Sequence, residues 1–525
     1  MKRAITFTMA ALMLLTGISV YATGSPDLVT PPDPIVIDWL AYNCYRHPEP
    51  DALIIKKMEE KYGVKFNIWF IDEKNWNDAL GVRLAAGEMP DYFRIKYSAI
   101  VGKYVEQGIL APVTDEMFKQ IPNYVKMIDK YDTDKNIYTD VMVDGTIYAL
   151  KVINITGAYP TIIVWRTDWL KNVGITKIPE TIAEFEDAMY KMAKNDPDKN
   201  GKDDTYGLSN TAMGVVFGAY GMMPLKHIQK DGLHWTTKNG KLVITAIQPE
   251  MKEPLEMLQR WYKDGVIDPE FITGENKGGY WALSHAFMNG RIGLTGLVMA
   301  THWNPPLQEG HNPARCLAEF IKVNPDAVYG ETVEIGKPPV GPTGKSGAHQ
   351  WGYAGESTGF TTKCVANKEK TNIILKLIND KLGDFELFKL LTYGVEGVHF
   401  FTEDGIIKRP ADYKEKFGDG TSIGGGTLSG KIANPDFVKM TYPPRYAFLD
   451  KYNAPGYTFG KVPPTEAYAQ YSSDLDRLTS EYYVEVITGG KSIDTFDDFV
   501  KTFRAAGGDE IEQQVNEQYN KLMGK

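Results

Sequence analysis

A chain of 525 residues is longer than one hydrophobic core ordinarily serves, so at least two folding units are expected. With 43% hydrophobic and 24% charged residues its composition is globular, which excludes a disordered or collagen-like chain. The net charge of −9 argues against a nucleic-acid partner.

The N-terminus opens with the cations Lys2 and Arg3. A mostly apolar, uncharged run from Ala4 to Val20 follows, and Val20-Tyr21-Ala22 places small residues where a signal peptidase reads them. Residues 1–22 are therefore expected to be a secretory signal. The run stands at the short limit for a membrane span, and it lacks the cysteine a lipoprotein would need. Export across the inner membrane, to the periplasm or the cell surface, follows from that reading. Removing the leader leaves 56 Lys and Arg against 67 Asp and Glu, a net charge of −11. Cys44, Cys316 and Cys364 are odd in number and widely spaced, so neither a zinc site nor a redox pair is supported. Three buried, unpaired thiols are expected.

Residues 23–33 read as a leader to the first strand, Ile35 to Ile37. The spacing of Ile54, Ile55, Met58 and Tyr62 predicts a helix from Pro48 to Tyr62, with Asp51 as its cap. Val64 to Ile71 alternates as a second strand, and Trp76 to Ala86 reads as a helix. This alternation implies parallel strands with crossover helices. Further helices are predicted at Thr181–Ala193, Pro249–Asp264, Trp281–Met288 and Asn367–Lys381, with a strand at Arg291–Leu294. The Gly- and Pro-dense stretch Ile335–Ala354 predicts an extended surface loop. Pro464–Thr488, Ile493–Ala506 and Asp509–Leu522 have helical length and are expected to pack on one lobe.

Several segments, in order along the chain, resemble one family. Leu84 to Asp91 is similar to "LASGDxPD", Asp144 to Leu150 to "DGKIYGLP", and Trp165 to Leu170 to "YRKDWLDKLG". Tyr262 to Phe271 is similar to "YKEGLIDPEF", Phe287 to Gly293 to "FxNGKVGM", and Tyr393 to His399 to "YGIEGVHY". The ordered set resembles the extracellular solute-binding proteins of family 1, in particular their large, calcium-containing, oligosaccharide-binding branch. The resemblance implies an α/β fold of the periplasmic-binding-protein type II kind, with two lobes joined by hinges and a ligand cleft between them. It also implies a monomer that hands its ligand to the membrane subunits of an ABC permease. Lobe 1 is expected at 33–155 and 358–398. Lobe 2 is expected at 159–354 and 402–525, including the C-terminal helical extension.

Asp196, Asp198 and Asn200 occupy positions 1, 3 and 5 of an EF-hand-type loop, with Gly201 at position 6. Lys202 would offer its carbonyl at position 7, and Asp204 stands at position 9. Position 12, a bidentate Glu in an EF-hand, is Gly207, and position 10 is Thr205. A structural calcium ion is expected here, short of one ligand. The alternative is a solvated Asp/Asn/Gly turn.

Sugars are held by aromatic platforms and hydrogen-bonding side chains. In open α/β sheets ligands sit beyond the carboxyl ends of strands. That places Trp39, Tyr42 and Asn43, then Arg94, Lys96 and Tyr97, then Trp165 and Arg166, then His302 and Trp303 as candidates, with Trp351, Tyr353 and Glu396 at the crossings. Trp39 is equally a core residue. Arg166 is either a carboxylate clamp or an interlobe ion pair, and Glu396 a hydroxyl acceptor or a hinge group. Trp169 reads as core. The ligand implied is an oligosaccharide, neutral or acidic. A secreted carbohydrate-active enzyme is the rival, since two carboxylates suffice for a hydrolase. HExxH and GxSxG are absent, and Gly344-Lys345-Ser346 lacks the first glycine of a P-loop. No enzyme activity is expected. A binder of peptides or other solutes is the third reading.

Overall fold

The structure is a computed structural model that describes residues 34–522, apart from 45, 50, 133–136, 226–227, 229–231, 274–283, 309–310, 419, 421 and 459–464. The expected signal segment, 1–22, lies outside the described residues, as does the start of the helix expected from Trp281. The two principal sheets are built by β1 (Ile35–Leu40), β2 (Val64–Ile68), β3 (Tyr92–Ile95), β4 (Leu150–Ile153), β5 (Ile162–Arg166), β6 (Tyr206–Leu208), β7 (Ile292–Val298) and β8 (Val333–Gly336), together with β10 (Ala354–Phe360). Two further strands are β9 (Ala348–Gln350) and β11 (Gly456–Thr458).

The first sheet runs β2-β1-β3-β10-β4. Its first three strands are parallel, paired Ile37 to Phe66 and Trp39 to Tyr92, and β10 returns antiparallel to both β3 and β4. Helices Leu53–Tyr62 and Trp76–Ala85 make the expected crossovers. Asp51 does not cap the first of them. Ala52 holds that position without a side-chain hydrogen bond, and Asp51 instead pairs with Lys56. The second sheet runs β8-β5-β7-β6, with β5 antiparallel to both neighbours and β7 parallel to β6. The stretch expected to be a loop from Ile335 to Ala354 contains the end of β8 and all of β9. Both are too short, and too rich in flanking Gly and Pro, to show a period of two.

Each sheet has its own core. The first contains Ile37, Trp39, Tyr92, Phe93, Leu150 and Phe360. The second sheet has one on each face, because alternate residues of a strand point to opposite sides. Ile163 and Trp165 pack with Phe185 and Trp261, whereas Ile162 and Val164 pack with Phe287, Trp303 and Phe320. The chain passes from the first core to the second sheet between Ile153 and Ile155 and returns along β10. Tyr413, Ile423, Leu428 and Ile432 belong to the first core, so the expected boundary at 402 falls too early. Two distant partners hold this strap there: Trp39 Nε1 on β1 donates to the Thr427 carbonyl (3.0 Å) and Lys381 Nζ, on the helix Lys368–Gly383, to the Ser429 carbonyl (2.6 Å).

The helices Glu466–Ile487, Phe496–Phe503 and Asp509–Leu522 pack on the second sheet's core. The Tyr482 and Phe499 rings stack at 4.1 Å. The last helix also covers the outer strand of the hairpin formed by Trp235–Lys238 and Lys241–Ile244: Asn516 Oδ1 accepts from Leu242 N and Glu512 Oε1 from Ile244 N. Those bonds satisfy edge groups that would otherwise be open to another strand. Cys44, Cys316 and Cys364 are buried and form no disulfide.

Candidate functional site

A cleft of about 1300 Å³ lies between the two sheets. Its first wall starts from the antiparallel pair β3 and β10. Arg94 pairs with Thr358, so Arg94, Lys96 and Glu356, each two positions from a partner, share one face of the sheet. The guanidinium of Arg94, with its side chain 3% exposed, is held between two carboxylates. Nη1 and Nη2 donate to Glu73 at 2.5 and 3.0 Å, while Nε and Nη2 donate to Glu356 at 2.5 and 2.6 Å. Two forked contacts of this kind use the fixed donor geometry of arginine fully. Lys96 Nζ lies 3.0 Å from Glu73 Oε1, and Lys431 Nζ lies 2.9 Å from Glu356 Oε2 and donates to Asn43 Oδ1 at 2.9 Å.

Burial pushes the Glu73 carboxyl up, but the bonds and charges of Arg94 and Lys96 outweigh it and hold the group below its usual range. Burial opposes Arg94 and Lys431 at Glu356 in the same way, with the same result. Glu73 is positioned by a single turn that begins at Asp72, whose side chain accepts from Lys74 N. Lys431 follows Gly430, where a Cβ would stand 2.6 Å from the Ala41 carbonyl at a φ of +59°. Only glycine lets the strap lie this close to β1. Beneath it, burial brings the Lys381 ammonium down to about 7. Tyr97, 55% exposed, and Asn154 complete the lining on this side.

The second wall contributes His302 and Arg315. Burial lowers the His302 imidazole below its ordinary value, and the charges of Arg445 and Arg315 lower it further. Arg315 is exposed and makes no hydrogen bond or ion pair among the described residues.

The cleft thus brings together Asn43, Arg94, Lys96 and His302 of the residues expected from sequence, with Tyr97 beside them. It does not bring in the tryptophans. Trp39 is fully buried against Phe66 and Tyr92, and Trp165 against Phe185. Trp303, only 2% exposed, packs edge-on to Phe287 and against Phe320. The strand period turns Trp165 inward, and Trp303, the last residue of the short helix Ala300–Trp303, is buried among the Phe287 and Phe320 rings. Tyr42 is buried, its hydroxyl donating to the Trp69 carbonyl. Arg166 is neither a clamp nor an interlobe pair. It binds Asp168 two residues on and lies over the Trp169 ring, which is itself core. Trp351 is half-buried against His349, and Tyr353 lies beside Tyr131. Glu396 is exposed in its own turn, held by Lys389 and Thr402, and does not line the cleft. Sequence reasoning missed Glu73, Glu356, Lys431 and Arg315. Glu73 and Lys431 stand on turns rather than directly after a strand, while Glu356 and Arg315 carry no local signature.

A second cavity, about 680 Å³, is lined by Leu478, Tyr482 and Phe499 within the C-terminal helices, away from the crossings.

The loop from Asp196 has the turn geometry that gathers oxygens, with positive φ at Asp196, Lys199 and Gly201. Asp196 accepts from the backbone of Asn200 and Gly201. The Asn200 amide donates to Asp198 (2.8 Å) and Asp204 (3.1 Å) and so stands between them, while its Oδ1 accepts from Lys202 N. Among the described residues no group of three His, Cys, Asp or Glu side chains is arranged to hold a metal ion. The donor chemistry suits a hard cation, but the loop has no closing ligand. Thr205 turns inward to the Met192 carbonyl, and a Cβ on Gly207 would meet Met189 at about 3 Å.

The sequence model of the bacterial extracellular solute-binding protein family matches residues 48–282. Over that segment the chain resembles the family. Lipoprotein LipO of Bacillus subtilis (strain 168) is 23% identical to it over 90% of this chain and 89% of its own length. The polygalacturonan/rhamnogalacturonan-binding protein YtcQ of the same organism is 24% identical over 93% and 92%. Among solved structures, the Streptococcus pneumoniae ABC-transporter substrate-binding protein FusA in complex with kestose has a TM-score of 0.63 at 16% identity, covering 93% of this chain and 99% of FusA. An EF-hand mutant of FusA with fructo-nystose gives 0.61 at 16%, with the same coverage. The fold is the two-lobed, type II-like α/β fold expected from the motifs. Among the described residues no helix is long and apolar enough to cross a membrane.

Proposed function

We propose that this solute-binding protein captures an oligosaccharide in the interlobe cleft and delivers it to an ABC permease. One observation carries the reading. An exposed aromatic ring, Tyr97, stands at a 1300 Å³ cleft edged by the hydrogen-bonding side chains of Asn43, Asn154 and His302. A sugar ring offers an apolar CH face to the first and hydroxyls to the others. Two of these similar proteins are named for a carbohydrate and differ in its charge, a polygalacturonan for one and kestose for the other. Closure would be a hinge motion at the crossings near Asn154, Tyr353 and the strap before Pro435, burying the ligand between the walls. The residues 33–155 and 358–398 form one lobe in this reading, extended to the strap at 432, and the remainder forms the other.

The protein acts as a monomer outside the inner membrane, after removal of residues 1–22, and releases its ligand chemically unchanged. A calcium ion would be held by Asp196, Asp198, Asn200, the Lys202 carbonyl and Asp204, and would pin the loop after the helix Ile182–Lys194. Binding it requires Asn200 to turn its oxygen inward. Titration calorimetry of the mature protein with neutral and uronic-acid oligosaccharides, followed by chromatography of the recovered glycan, tests the whole reading. Saturable binding with intact glycan is expected. Shortened products would make the protein an enzyme, and binding of peptides in place of every glycan would remove the carbohydrate. Chelator should lower the melting midpoint, because a cation bound only by the folded state stabilises it.

A further inference from the structure

The charges in the cleft do not balance. Three cations, Arg94, Lys96 and Lys431, share two carboxylates, Glu73 and Glu356, which leaves one positive charge uncompensated in a half-buried cluster. Asp72 and Lys74, also in the lining, cancel each other. On the facing wall Arg315 adds a second positive charge with no ion-pair partner among the described residues. Arg315 begins a nine-residue helix whose first turn has neither an acidic residue nor a side-chain cap, so the positive end of the helix adds to the same field. The excess stands in a chain whose formal net charge is −9. A cleft of opposite sign to the whole molecule selects its ligand by local charge.

Resting on the carbohydrate reading, we propose that the ligand is an anionic sugar chain. Its acidic groups are taken between Lys96 and Lys431 on the first wall and Arg315 on the second. Arg94 is a positioning residue in this scheme. Both faces of its fork are occupied by carboxylates, and it fixes the two glutamates that aim the lysines. The lysines have donors left: each ammonium has three, and each is only partly covered. Arg315, brought in by closure, completes the coordination of an acidic group from the opposite side, so the ligand's charge itself favours the closed form.

The charge could reside on a carboxylate or on a sulfate ester. Calorimetry of the full mature protein should therefore compare an oligogalacturonide, the same chain as its methyl ester, a sulfated oligosaccharide and a neutral oligosaccharide of equal length. Wild type should bind the free acid at least tenfold more tightly than the ester, and the preference should shrink as salt screens the cleft. Arg315→Gln should lose about tenfold for the acid and nothing for the ester, the size expected for a charged hydrogen bond. Being exposed and without an ion-pair partner, Arg315 can be replaced without harm to folding. Binding of the sulfated chain alone would support the anionic ligand and assign the charge to sulfate. Equal affinity for acid and ester, or an Arg315→Gln loss common to both, overturns the inference and leaves the carbohydrate reading standing. Failure of every glycan to bind overturns both.

Discussion

The two walls of the cleft are built on opposite principles. The first is an ion network in which each charged side chain is held by its neighbour before any ligand arrives. The second keeps its large aromatic rings, Trp165 and Trp303, in the packed interior and, among the described residues, presents His302 and Arg315. Both walls sit at strand ends, so the difference does not come from topology. On the first wall, residues at even spacing on β3 and β10 share the cleft face. On the second, the same alternation sends the tryptophan inward, because the strand is covered on both sides. A strand end therefore locates a ligand site without saying which residues face it.

The comparison breaks most visibly at Trp303. Trp303→Ala should cost about 4 kcal/mol of stability, the usual price of emptying a large aromatic site, and should leave affinity in the folded protein nearly unchanged. Urea unfolding together with calorimetry checks this. A variant of normal stability with lost binding would move Trp303 from the core to the cleft. Next in size, Arg94→Met leaves Glu73 and Glu356 facing each other without their shared guanidinium. Breaking a buried pair from one side should cost about 3 kcal/mol, read as a shift in the urea midpoint.

The acid side of the stability curve sharpens the contrast further. Glu73 and Glu356 have folded values below their ordinary range, so they contribute stability above that range and lose it as the pH falls through the lowered values. Melting midpoints should therefore fall below about pH 4.5, and part of that slope should vanish in Arg94→Met. The smallest effect falls on Tyr97. Tyr97→Ala should change stability by no more than about 0.5 kcal/mol, as an exposed site does, and weaken glycan binding by about 1 kcal/mol, as loss of one aromatic contact does. Unchanged binding would remove the platform from the first wall.

Much of the fold was legible along the chain. The crossover helices at Leu53 and Trp76, the capped helix at Thr181 and the three C-terminal helices all show periodicity or end signals that need no distant partner. The strap from Tyr413 to Ile432 did not, because Trp39 and Lys381 hold it from almost four hundred and about fifty residues away. In the cleft, Asn43, Arg94, Lys96 and His302 were readable from their places after strands. Glu73, Glu356 and Lys431 were not, since the ion pairs that give them meaning join a turn to a strand or, for Arg94 and Glu356, span 262 positions.

By itself the sequence determined the local grammar of this protein: its helices and strands, its resemblance to a two-lobed fold, the acid-rich turn at Asp196 and the polar residues that end β1 and β3. Those follow from short-range backbone preference and from the period of apolar side chains. The tertiary structure alone decided which tryptophans are core, which lobe owns the strap, and that three cations meet two carboxylates across the first wall. Burial and charge balance are sums over neighbours in space, and no window along the chain contains those neighbours together.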